Sequence, residues 1–116
     1  MLHEGFKTEY WYNRMITWRE DFLVGDEAKR SGRKIISGIK KNKFQPGIYV
    51  ITLAANGTDV FDIIPTCMLD PDLYKKKDLE ILAVAKGKTE ARELCEKLIM
   101  DAYSETGNFD IRGFYS

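Results

Sequence analysis

The chain has one histidine, His3, two cysteines, Cys67 and Cys95, and three prolines in 116 residues. A lone histidine near the start gives no plausible Ser/His/Asp or Cys/His set, so nucleophilic hydrolysis has no evident machinery and the chain is not expected to be an enzyme. Structural zinc needs about four clustered ligands, and two distant cysteines without a nearby histidine do not supply them. No metal or cofactor is expected. Both cysteines fall among apolar residues at helical spacing, which reads as two core thiols. No apolar run approaches the ~20 residues of a membrane span. The start, MLHEGFKTEYWYNRM, has no basic stretch leading into an apolar one. No signal peptide is expected, and the location reads as cytoplasmic.

What is present suits one packed domain over residues 1–116, since 44% of residues are hydrophobic and 12% aromatic. Formal net charge is zero, with 18 basic and 18 acidic residues, but the charge is unevenly placed. Residues 28–58 hold seven bases (Lys29, Arg30, Arg33, Lys34, Lys40, Lys41 and Lys43) and no acid. Three bases and six acids precede this island, and eight bases and twelve acids follow it. The island can touch nucleic-acid phosphates by displacing their counterions, or it can be a solvated face that pairs with an acidic partner. No zinc finger, heptad or RNA-binding aromatic signature accompanies it.

Along the chain, Trp11, Met15, Trp18 and Phe22 follow i, i+4, i+7, i+11, which predicts a helix over 6–24. Its aromatic stripe packs on the sheet or forms a subunit interface. Its acidity argues against membrane-surface binding. Residues 26–43 are read as helix, with Ala28, Ile35, Ile36 and Ile39 on one face, so that 6–43 is a helical segment. The alternative is an antiparallel strand at 33–39, giving an α+β fold. The apolar runs IYVITLAA (48–55) and LEILAVA (79–85) predict strands covered on both sides.

Asn56-Gly57 is a strong hairpin signal. After it, however, Val60, Phe61, Ile64, Cys67 and Met68 fall at helical spacing. The segment is therefore read as a strand-to-helix turn capped by Thr58 or Asp59, with Pro65 kinking the helix. Residues 89–106 carry the clearest helical stripe, with Thr89 as its cap and Gly107 as its stop. The tail, 108–116, reads as a short edge strand. The resulting expectation is an α/β domain: a β-α-β-α core (48–107) with parallel strands and a right-handed crossover, preceded by one or two helices. Its third strand must come from the tail, from 33–39 or from another subunit.

Gly87-Lys88-Thr89 matches the end of a P-loop, but the position of the first glycine is Leu82, inside a strand. A weaker expectation is an anion site. Two strand-to-helix turns at one sheet edge would bring together Asn56, Gly57 and Thr58 with Lys86, Gly87, Lys88 and Thr89.

PGIYVITLAANGTDVFDIIP (46–65), LEILAVAKGKTEARELCEKLI and the following ETGNFDI resemble small proteins of gut Firmicutes, some of them apparently encoded in mobile elements. The resemblance covers about residues 33–112 and implies a bacterial cytoplasmic origin. That family has no assigned activity or site residues, so no role carries over. The leading expectation is a non-enzymatic interaction module that self-associates as a homodimer through the stripe of Trp11, Met15, Trp18 and Phe22. The alternatives are a nucleic-acid accessory protein and a small anion binder.

Overall fold

The computed structural model describes residues 16–41, 43, 45–54, 59–69 and 79–116. The fold is α/β, built on a mixed sheet with helices on both faces. Its elements are β1 (Ile16–Val24), α1 (Asp26–Lys29), α2 (Gly32–Lys40), β2 (Ile48–Leu53), β3 (Phe61–Pro65), β4 (Leu79–Lys86), α3 (Lys88–Thr106) and α4 (Ile111–Tyr115), with a 3-10 turn at Thr66–Met68. The sheet order is β1-β4-β2-β3. β1 runs parallel to β4, whereas β2 is antiparallel to both of its neighbours.

Side chains alternate across a strand, and here the alternation feeds two cores. Ile48 and Val50 of β2 join Ile81 and Val84 of β4 under Ala28, Ile35 and Ile39 of α1 and α2. On the opposite face, Ile51 and Leu82 meet Ala91, Leu94, Leu98 and Ala102 of α3 and Ile111 and Tyr115 of α4. Each large side chain buried in this way contributes about 1.5–3 kcal/mol. Alternation breaks once in β4, where Leu82 and Ala83 both join the α3 core. Opposite this break, β1 shifts register between Trp18 and Leu23. Such a bulge re-aims neighbouring side chains. Beside it, the guanidinium carbon of Arg19 lies 4.9 Å from the centre of the Tyr115 ring.

Two helices that the sequence predicts are strands where they are described, residues 6–15 of the first lying outside the described residues. Residues 16–24 form β1: Trp18, Phe22 and Val24 pack on the α1–α2 core while Leu23 packs on the other. A spacing of four, as between Trp18 and Phe22, is even, so it satisfies a helical stripe and one face of a strand alike. Residues 61–65 form β3, paired antiparallel with β2 from Leu53↔Phe61 to Tyr49↔Pro65, and the Ala54 amide donates to the Val60 carbonyl. The hairpin reading of the Asn-Gly segment is therefore the correct one, although residues 55–58 lie outside those described. With β2 antiparallel to β4, the expected parallel β-α-β-α core does not form.

The missing strands come from 16–24 and 61–65, not from the tail or from 33–39. The tail carries α4, whose N-cap Asp110 accepts the Gly113 amide at 3.1 Å. The Tyr115 hydroxyl of α4 donates to the Leu98 carbonyl at 2.6 Å. Helix at 32–40 and the left-handed stop at Gly107 (φ 75°) are as expected. Cys67 departs from its expected place in the core: it is exposed in the 3-10 turn, and Cys95 is half-buried on α3. Among the described residues no helix is long and apolar enough to cross a membrane.

Candidate nucleic-acid interface

Helix α2 buries Ile35, Gly38 and Ile39 against the sheet and turns Arg33, Lys34 and Lys40 outward. Gly38 is needed for contact: the Gln45 side chain lies across it, so that a Cβ there would stand 2.6 Å from the Gln45 amide. Gln45 Nε2 in turn donates to the Ile35 carbonyl at 3.2 Å. The outer surface carries a shallow depression of about 380 Å³ lined by Arg33, Ile36, Ser37, Lys40 and Lys41. Positions 33, 37, 40 and 41 lie along one helical stripe.

All seven bases of the island are exposed. Arg30 meets Glu27 at 3.8 Å across two well-exposed side chains, a pair of little energetic weight. Lys29, Arg33, Lys34, Lys40, Lys41 and Lys43 form no ion pair with a described carboxylate. The Nζ atom of Lys40 stands 5.9 Å from the centre of the Trp18 ring. Among the described residues the surface is thus a cluster of cations without a carboxylate partner for these six. Repulsion within such a cluster is relieved when it meets a polyanion.

The helix before this surface, α1, is tied to the sheet by Glu90, in the first turn of α3. Its carboxylate accepts the amides of Glu27 at 2.7 Å, Ala28 at 3.3 Å and Lys86 at 2.9 Å. The first two are amides of α1, whose own N-cap, Gly25, has no side chain to satisfy them. Glu90 therefore caps a helix more than sixty residues away in sequence. Burial pushes its carboxyl up, but the amides of Lys86, Glu27 and Ala28, with the Lys86 charge, outweigh burial and hold it below the usual glutamate value. From the sequence, Glu90 reads only as an acid suited to the positive end of its own helix. A glycine at the α1 cap position is the signal that an acceptor from elsewhere is needed.

Of the expected two-turn anion site, only the Lys86–Thr89 half falls within the described residues. Asn56, Gly57 and Thr58 lie outside the described residues, in the connection after the C-terminal end of β2. Ile48, at the start of β2, pairs with Lys86. The neighbour of Gly87 is Gly47, whose carbonyl accepts the Gly87 amide at 2.8 Å. Both glycines have positive φ, 79° and 86°, a region that costs other residues strain. Gly87, not Thr89, is the N-cap of α3, and Lys86, Lys88 and Thr89 are exposed.

Of the expected interface stripe, Trp11 and Met15 lie outside the described residues. Trp18 and Phe22 are half-buried, with ring centres 4.9 Å apart, on the side of the sheet that α1 and α2 cover. Comparison with family models, curated proteins and solved structures finds no match.

Proposed function

We propose that the chain is a small binding module that holds a polyanion, the phosphate backbone of a nucleic acid, on the outer face of α2 and the turn after it. The observation that carries this reading is the set of six exposed cations, Lys29, Arg33, Lys34, Lys40, Lys41 and Lys43, without a described carboxylate partner. A merely solvated face would be expected to interleave acids among its bases; residues 28–58 contain none. A cytoplasmic setting, where nucleic acid is abundant, fits the reading. The test is fluorescence-anisotropy titration with labelled DNA at several salt concentrations. Five contacts, from Arg33 to Lys43, give a log–log salt slope of about −3.5 on a single strand. Replacing Arg33 and Lys41 by Gln flattens that slope by about two contacts. Binding that does not weaken with salt, or no binding at low salt, overturns the reading.

A second reading keeps self-association and rests on different residues. Phe109 is 72% exposed and stacks on Tyr103 with ring centres 4.5 Å apart, next to Met100, which is 60% exposed. Large apolar side chains grouped in this way suit an interface between copies. A monomeric mass at high concentration in equilibrium sedimentation overturns it. If a dimer forms, Phe109→Ser should dissociate it.

A further inference from the structure

Resting on the polyanion reading, we infer that the preferred partner is single-stranded nucleic acid and that Trp18 stacks one of its bases. Phosphate contacts alone do not distinguish single strands from duplexes; an aromatic face beside a cationic track does, because only an unpaired base can turn its ring onto it. Trp18 supplies that face. It sits on β1, the outer strand of the sheet among the described residues, half-buried and braced by Phe22 at 4.9 Å between ring centres. Lys40 also lies beside it, with Nζ 5.9 Å from the ring centre.

Lys40 belongs at the same time to the basic depression with Arg33, Ser37 and Lys41. One flexible exposed side chain therefore joins the aromatic face to the phosphate track. Its contact with the ring is at the outer limit of cation–π range and is solvent-screened, so it is weaker than base stacking. When a base takes its place over Trp18, Lys40 needs only a rotamer change to meet the phosphate of that nucleotide. The ring is already held by the core, so little side-chain freedom is lost on binding.

The experiment uses the full chain carrying Trp11→Phe, so that Trp18 is the sole tryptophan, titrated with a short oligothymidylate and with a duplex of equal length. The inference expects Trp18 emission to be quenched by the single strand and not by the duplex. It also expects Trp18→Leu to weaken single-strand binding about tenfold while leaving duplex affinity and the salt slope unchanged. Equal binding of both forms without quenching, or an equal loss for both in Trp18→Leu, overturns this inference and leaves the polyanion reading in place. Binding of neither form overturns the polyanion reading itself. Should Trp18→Leu fail to fold, quenching in the Trp11→Phe chain decides alone.

Discussion

The carboxylate of Glu90 accepts the backbone amide of Glu27 at 2.7 Å across 63 residues of chain. Through that contact and its neighbours at Ala28 and Lys86, one side chain of α3 fixes where α1 begins. The same carboxylate ties that start to the end of β4 at Lys86.

Glu90→Gln should destabilise the fold by about 1 kcal/mol at neutral pH, the usual scale of a lost helix cap. Because the native carboxyl lies below its ordinary value, its stabilising effect is present above the unfolded-state pKa and is lost as pH falls through the folded-state pKa. Urea unfolding should therefore separate the two proteins at pH 7 and bring them together in acid. A difference that persists unchanged in acid would refute the ionic cap.

Gly25→Ala is compatible with the local backbone, where φ is −63°, yet a Cβ there would collide with the Glu90 carboxyl. The substitution should cost about as much as losing the cap. It should cost little when Glu90 is already Ala. A double-mutant cycle measures this coupling, and additive effects would contradict it.

Tyr115→Phe removes a hydroxyl that donates to the Leu98 carbonyl at 2.6 Å in a buried position. The expected loss is about 0.5–1.5 kcal/mol in chemical unfolding. Ile39→Ala should cost more, about 2–5 kcal/mol, since it empties a site that joins α2 to the sheet.

The thiols should react at different rates. Burial, with the Glu96 charge, pushes the Cys95 thiol up, so it holds less thiolate at a given pH. Cys67 is exposed. A thiol reagent in the native state should modify Cys67 first and Cys95 slowly, and raising the pH should speed Cys95. Equal rates would contradict this placement.

Legibility from the sequence followed how far the deciding contacts lay along the chain. Strands 48–53 and 79–86 and helix 88–106 could be read because their patterns are long and unambiguous. The stretch of Trp18 and Phe22 could not, because their spacing fits both periods and β1 is decided by pairing with β4, some sixty residues later. The same holds of 61–65, where apolar residues at helical spacing compete with the Asn-Gly hairpin signal. Pairing with β2 and burial of Ile64 decide that segment. At the candidate site, the basic island was fully visible as composition. The role of Glu90 was not, since the amides that it caps belong to another helix.

By itself the sequence determined the class of fold, the two central strands, the amphipathic faces of α2 and α3 and the position of the basic island. Each of these rests on residues within a few turns of one another. Tertiary structure decided strand direction, the identity of β1 and β3, and the pairing of the Gly47 and Gly87 turns. Those features depend on backbone hydrogen bonds between distant segments, which side-chain periodicity does not encode.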